Sequence, residues 1–315
     1  MRVVVTGASG FIGRHLCAQL EDHNFDVVRA VRHSSPNVDG HEYVTGDIAD
    51  STVLDELVRG ADVVVHLAGR AHFARDVERS EELFAKANVV AASRLAEVAA
   101  NAGVRRFVFL SSIGVLGDRS EQPLDENAPP APAEPYARSK LAAEEALSRI
   151  AGTSGLELVV LRPALVYGPL CPGNMARLAK LVRTQVPLPL AAYGNVRSLL
   201  GVHNLVSLIE LAITRPEAAN QVFVAADAQE VTLPQLLQTL GEGLGVAVRL
   251  VRLPATVVEG LATIAGQRKP LLKLTASLRV DASKARKLLG WVPSVDTSTG
   301  LREAGSSFSR QANLH

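Results

Sequence analysis

Met1-Arg2-Val3-Val4-Val5-Thr6-Gly7-Ala8-Ser9-Gly10-Phe11-Ile12-Gly13 opens the chain, and Arg14-His15-Leu16-Cys17-Ala18-Gln19-Leu20 follows it. The first six residues form an apolar, β-branched run that reads as a strand. The next seven carry three glycines, and the apolar residues beyond them return at helical spacing. A strand passing through a glycine turn into a helix is the start of a dinucleotide-binding βαβ unit. Gly7 and Gly10 let the backbone turn and approach a pyrophosphate, whose charge sits among unpaired N–H groups at the helix N-terminus. Gly13 lets that helix lie close on the strand. The spacing is G-x-x-G-x-x-G, not the commoner G-x-G-x-x-G, so the same turn would also suit an α/β protein that binds nothing.

Working outward, 315 residues suggest two domains, or one large domain with an appendage. Apolar residues make up 47%, ample for a packed core, while 4% aromatic content argues against base-stacking platforms. A net charge of +1 with no long run of one sign argues against a nucleic-acid partner. Cys17 and Cys171 are too few and too far apart for a metal knuckle or a disulfide framework. A reducing, cytoplasmic compartment and no metal are therefore expected. With the first strand starting at Met1, no signal peptide is expected. No apolar stretch approaches the ~20 residues that span a bilayer, so membrane insertion is not expected. The Leu253–Gly266 segment is apolar enough to lie on a partner or a membrane, but Glu259 interrupts it, and it reads as a core or interface helix.

Asp26 to Arg32 reads as the second strand. An acidic residue at this strand's end would bind the adenosine ribose hydroxyls of NAD; Val31-Arg32-His33 stands there instead. A cation suits the 2′-phosphate of NADP, so the reading is NADP(H) ahead of NAD(H), with Arg32 as main partner and Arg14 as second candidate. Tyr43 to Ile48 is a third strand, with Asp47 placed to accept from an adenine amino group. Ala61 to Gly69 is a fourth, whose Ala68 and Gly69 leave room for the cofactor; His66 within it reads as a core histidine. A long helix over Ser80–Ala102, with Asn88 inside it, leads to a fifth strand, Arg105–Ser112. A Pro-rich, acidic loop, Asp118 to Pro135, precedes a helix over Tyr136–Ile150 and a strand over Leu156–Arg162. Gln221–Ala226 reads as one more strand returning to the main sheet. The alternation predicts an α/β fold with a doubly wound parallel (Rossmann) sheet and ligands across its carboxyl edge. The expected division is a dinucleotide-binding domain over 1–165, rejoined by 196–226, and a smaller, mostly helical substrate domain over 166–315.

Tyr136 and Lys140 are four apart on one helix and share a face. A free tyrosine titrates near ~10 and is a poor base at neutral pH. A neighbouring ammonium, together with a positive nicotinamide ring, is expected to draw that value down. The phenol can then exchange a proton with a substrate oxygen while hydride moves at the same carbon. Ser112 would orient the reacting C–O group, and Lys140 has donors to spare for the nicotinamide ribose.

In this order the motifs resemble an extended short-chain dehydrogenase/reductase of the nucleotide-sugar epimerase/dehydratase group. The resemblance rests on Gly7–Gly13, Gly46-Asp47-Ile48, His66-Leu67-Ala68-Gly69, Ser111–Gly117, Tyr136–Lys140, Arg162–Pro169 and Asp281–Ala285, and spans nearly the whole chain. It implies Ser112, Tyr136 and Lys140 as catalytic residues. Cofactor contacts are implied for Gly7, Ser9, Gly10, Phe11, Ile12, Gly13, Arg32, Asp47, Ile48, Leu67, Ala68, Gly69, Tyr136 and Lys140. Asn174 and Arg197 match positions that hold the substrate's diphosphate. Arg268 lies close to a second such arginine, and His72 is within reach of the substrate.

Dehydratases of the group carry an Asp-Glu pair where Ile113 and Gly114 stand here, so 4,6-dehydration is disfavoured. Leu116 replaces a family tyrosine, and Arg70-Ala71-His72 follows the strand-end Gly69. With the Arg197–Val202 stretch, these features resemble the branch of bacterial UDP-N-acetylhexosamine 4-epimerases and 4-ketoreductases used for surface polysaccharides. The resemblance thus implies a UDP-sugar substrate. The first expectation is NADPH reduction of a UDP-4-keto-6-deoxy-N-acetylhexosamine. The alternative is 4-epimerisation of UDP-glucose or UDP-N-acetylglucosamine on retained NAD; a third reading is a non-catalytic NADP-binding sensor. By analogy with the family, the helices over 80–102 and 136–150 would suit a homodimer.

Overall fold

The computed structural model describes residues 1–32, 42–46, 51–70 and 80–312. From the N-terminus, β1 (Arg2–Thr6) feeds α1 (Phe11–Asp22), β2 (Asp26–Val31) and β3 (Glu42–Thr45). Helix α2 (Ser51–Leu57) leads to β4 (Val63–His66), and a long helical stretch follows: α3 (Ser80–Phe84), a π-helical turn (Ala85–Val90) and α4 (Ala91–Asn101). Next come β5 (Arg106–Leu110), β6 (Ser120–Leu124), α5 (Pro135–Ser154) and β7 (Glu157–Pro163). The rest runs β8 (Leu165–Tyr167), α6 (Asn174–Arg183), β9 (Val196–Arg197), β10 (Leu199–Gly201), α7 (Val202–Thr214), β11 (Gln221–Ala225) and β12 (Val231–Thr232). Helices α8 (Leu233–Leu244), α9 (Ala255–Ile264) and α10 (Arg268–Thr275) precede β13 (Leu278–Val280), α11 (Ser283–Leu289) and α12 (Thr297–Ala312).

Seven strands form one parallel sheet in the order β11-β7-β5-β4-β1-β2-β3. Strands buried on both faces read as continuous apolar runs, and Val3-Val4-Val5 and Val63-Val64-Val65 are fully enclosed. One face packs on Leu16, Cys17 and Leu20 of α1 and on Leu205, Leu208 and Ile209 of α7. The other packs on Leu95, Ala96 and Ala99 of α4 and on Ala143 and Leu147 of α5. Burying each large side chain contributes roughly 1.5–3 kcal/mol, so this two-sided enclosure carries most of the fold's stability. Strand β11 pairs with β7 in parallel, Phe223 opposite Leu161, so residues 221–225 do return to the main sheet.

A second core gathers Tyr167, Met175, Leu178, Leu237, Leu240 and Leu301 from β8, α6, α8 and α12. It is tied to the sheet by one buried carboxylate. Asp227 accepts from the Tyr167 hydroxyl at 2.8 Å, from the Gly201 amide at 3.0 and 3.1 Å, and from Asn204 Nδ2 at 2.7 Å. Thr297 Oγ1 completes the group at 3.5 Å.

Two expectations change. The Pro-rich, acidic loop contains a strand: β6 pairs with β13 in a small sheet ordered β12-β9-β13-β6. The Leu253–Gly266 segment, expected as a core or interface helix, forms α9, and with only Val258 buried in it the core alternative falls. Apolar composition located the helix, which lies against α10 and leaves Leu261 and Ile264 exposed. No described helix is long and apolar enough to cross a membrane.

Candidate active site

The glycine turn lies at the carboxyl edge of β1, beside the end of β4. Gly7 has φ +70°. A Cβ there would sit 2.9 Å from the Ala68 amide nitrogen, so β4 closes directly on the turn. The Gly10 amide donates to Gly7 O at 2.9 Å, and Gly10 caps α1 in an extended conformation. The first turn of α1 holds no acidic residue, which leaves the positive end of its dipole unopposed. Ser9, Gly10 and Gly69 are exposed, so the groove above the turn is open. The turn therefore suits a pyrophosphate. At Gly13 a Cβ would fall 2.2 Å from Gly7 O. Gly13→Ala is expected to displace the turn, lowering stability by about 1–3 kcal/mol through overpacking and reducing NAD retention. Thermal melting and the NAD content of purified protein check both effects.

Phe11 belongs to the sheet core and to the second core at once. Its ring meets His15 edge-on at 5.3 Å, and His15 meets His203 of α7 at 5.4 Å. Burial holds the His15 imidazole below its ordinary pKa.

On the other side of β4, α5 delivers Tyr136 and Lys140. Lys140 is buried, and its Nζ donates to Leu110 O at 2.8 Å and stands 4.5 Å from the Phe109 ring centroid. Burial pushes the ammonium down to about 8, with Glu144 pulling the other way. Tyr136 is pushed up to about 12 by burial. The expected lowering involves the positive nicotinamide ring as well as the ammonium; in the free chain desolvation dominates, and the lysine donates to a strand carbonyl. Phe84 lies 6.0 Å from the phenol ring, centre to centre. Ser112 follows β5 and caps a short 3-10 turn, its Oγ accepting from the Gly114 amide at 3.1 Å. The bond uses a lone pair, so the hydroxyl hydrogen can still donate. A Cβ on Gly114 would lie 3.4 Å from both Ser112 Oγ and Ala137 Cβ, which brings the serine close against the start of α5.

Three residues beyond the sequence-derived set build this site. Asn88, in the π-helical turn, accepts from the Arg70 amide at 2.9 Å and donates to Arg70 O at 3.1 Å and to Ser139 Oγ at 3.0 Å. It holds the segment after β4 against α5. A Cβ on Gly69 would lie 3.0 Å from Asn88 Oδ1 and 3.6 Å from Lys140 Nζ, so strand end, amide and ammonium converge. The signal for Asn88 was a polar residue amid an apolar helical run. Glu144, one turn beyond Lys140, is buried with Arg162, whose Nη2 donates to it at 2.6 Å and whose Nε donates at 3.1 and 3.2 Å. Ser111 Oγ also donates to Glu144. The Tyr136-Lys140-Glu144 spacing was visible; its partners were not.

His66 is fully buried, and burial with Lys140 nearby pushes it down to about 3. Its Nδ1 bonds Thr6 Oγ1 at 2.8 Å, its ring stacks on Phe109, and its Nε2 has no partner among the described residues. It is a neutral core group, one nitrogen short of satisfied.

Asn174 begins α6 and is exposed. Arg197 lies in β9, its Nη1 donating to Lys273 O of α10 at 2.7 Å, and Arg268 opens the same α10. Lys273 in turn pairs with Glu134, two residues before Tyr136, so α10 borders the site. Arg32 is exposed just past β2, and Arg14 is exposed on α1. Asp47, Ile48 and His72 lie outside the described residues.

A parallel nucleotide-binding sheet with a tyrosine and lysine one helical turn apart beneath its open edge defines an extended short-chain dehydrogenase/reductase. More narrowly, residues 3–226 match the NAD dependent epimerase/dehydratase family, and the chain belongs to it. It is 34% identical to a UDP-glucose 4-epimerase of Vibrio cholerae, over 99% of this chain and 96% of that one. An N-acetyl-alpha-D-glucosaminyl-diphospho-ditrans,octacis-undecaprenol 4-epimerase of Escherichia coli O157:H7 is 27% identical, over 95% and 92%. Among solved structures, the UDP-glucose 4-epimerase of Thermus thermophilus in complex with NAD superposes with a TM-score of 0.77 at 26% identity, over 98% and 99% of the two chains.

Proposed function

We propose that the protein interconverts the C4 epimers of a UDP-linked hexose or N-acetylhexosamine on a retained NAD. The observation that carries this reading is a single acid–base group. Tyr136 stands with Lys140 on α5 near Ser112, while Ile113 and Gly114 offer no second proton carrier of the kind dehydration needs. Oxidation and re-reduction at one carbon balance each other, so one proton carrier suffices. Likeness over the full chain to 4-epimerases supports the same reading.

The Gly7–Gly13 turn, with Ser9, Phe11 and Ile12, would hold the pyrophosphate, and Leu67, Ala68 and Gly69 would line the nicotinamide side. Asp47 and Ile48 would meet the adenine. Bound NAD supplies the acceptor and donor of hydride. Tyr136 takes the C4 hydroxyl proton as hydride leaves that carbon, and returns it after the sugar has turned. Lys140 stabilises the phenolate, Ser112 holds the C4 oxygen, and Asn88 fixes the strand end beside them. Asn174, Arg197 and Arg268 would hold the diphosphate, with His72 towards the sugar.

Because burial lowers Lys140 to about 8, its stabilising charge is present below that pH and lost above it. Turnover is expected to fall above pH 8, and Lys140→Arg, whose charge persists, should move that limb upward in a pH–rate profile.

Denaturing the purified protein tests the main reading: stoichiometric NAD, with UDP-glucose converted to UDP-galactose or the N-acetyl pair interconverted without added cofactor, is expected. Nucleotide-free protein that consumes NADPH with a UDP-4-keto-6-deoxy-N-acetylhexosamine would overturn it in favour of a 4-ketoreductase. Arg32 is the observation behind that second reading, since it is exposed where a 2′-phosphate would lie and no carboxylate follows β2.

A further inference from the structure

Helices α9 and α10 are thinly covered. In α9 only Val258 is buried, and in α10 nothing is. Val257, Leu261 and Ile264 are 47%, 57% and 87% exposed. Their spacing of four and three places them on one stripe. Leu272 of α10 and Val251, just before α9, are exposed as well. Among the described residues, five of the fourteen large exposed apolar side chains thus fall within 251–272, a concentration that ordinary surface scatter does not produce. Glu259, on the opposite side of α9, lines an open cleft of about 560 Å³ with Tyr193, Asn195 and Leu272, so Val257, Leu261 and Ile264 face away from that cleft.

The charges around the stripe are one-sided. Between residues 249 and 273 stand Arg249, Arg252, Arg268, Lys269 and Lys273, against Glu259 as the lone acid, in a chain whose net charge is only +1. All five cations are exposed. Lys273 is paired with Glu134 at the border of the active site, and Arg268 is assigned above to the diphosphate; Arg249 and Arg252 precede α9 in the chain, and Lys269 follows it. An exposed apolar helical stripe with Arg and Lys on the chain either side of it suits a bilayer interface. Its aliphatic side chains enter the acyl boundary, and its cations meet anionic headgroups.

We infer that the α9–α10 pair docks the protein peripherally on an anionic phospholipid bilayer, with the mouth of the active site held beside the membrane surface. No helix crosses the bilayer in this arrangement. The inference stands apart from the epimerase reading: docking needs only the surface, and its failure leaves the chemistry at Tyr136 untouched.

Full-length protein is mixed with vesicles of phosphatidylglycerol and phosphatidylcholine, or of phosphatidylcholine alone, and sedimented. The protein is expected to sediment with the anionic vesicles, at least tenfold less with neutral ones, and less as salt rises. The double variant Leu261→Asp/Ile264→Asp, and separately Arg249→Ser/Arg252→Ser, should each reduce binding at least tenfold with melting temperature and turnover of soluble UDP-sugar unchanged. A second measurement places the stripe directly. The natural Trp291 is buried, so Ile264→Trp adds a separate exposed fluorophore whose emission should move to the blue on anionic vesicles. Absence of vesicle binding at low salt, binding unaffected by the aspartates, or an unmoved emission in the Ile264→Trp variant overturns the inference. So does a wild-type dimer that the aspartates split without any lipid effect, which would assign the stripe to a second copy of the chain.

Discussion

Tyr136→Phe is expected to lower turnover by about 10²–10⁴, the usual contribution of a positioned acid–base group, while the protein keeps its NAD. The ring still packs near Phe84, so the fold loses only a hydroxyl. KM should change little, because the proton is exchanged in the transition state and not in the bound ground state. Steady-state kinetics together with the NAD content of the purified variant separate loss of chemistry from loss of cofactor. Unchanged turnover would remove Tyr136 from the reaction.

Arg162→Leu should cause the largest loss of stability. It strands the Glu144 carboxylate in a site where both side chains are less than a tenth exposed. Breaking a buried pair from one side costs about 3–5 kcal/mol, because the remaining charge keeps its desolvation penalty without its partner. With an unfolding entropy of about 2 cal/mol/K per residue, a chain of this length should melt about 5–8 °C lower. Adding Glu144→Leu should recover most of the loss, since the stranded charge is then gone. A double variant as unstable as Arg162→Leu alone would mean that the residues act through packing. Strand β7 and helix α5 meet at this pair, and α5 carries both Tyr136 and Lys140. The single variant is therefore also expected to lose activity before it unfolds.

The parts of the site that sequence made legible are those set by short-range geometry. The glycine turn is specified by backbone conformation and close approach within thirteen residues, and Tyr136 with Lys140 by one helical turn. That the sheet is parallel followed from the alternation of apolar runs and helices; the order of its strands did not. What stayed hidden depends on which faces meet. Asn88 acts only because the π-helical turn brings its amide to Arg70 and Ser139 at once. Arg162 and Glu144 are 18 residues apart on a strand and a helix, and nothing local pairs them. The rise of the tyrosine in the free chain was hidden for the same reason: the lysine's charge could be counted in sequence, but the burial of both groups could not. Helix α9 shows the converse: of the core and interface roles its apolar residues allowed, only three dimensions exclude the core.

At Asp227, segments from both packed bodies are fastened to one carboxylate: Gly201 and Asn204 beside the sheet, Tyr167 and Thr297 within the second core. Separating them would break several bonds together in a dry interior, which makes a clamshell motion expensive. On the epimerase reading proposed above, a hexose that rotates between two half-reactions would do so without a hinge opening at Asp227.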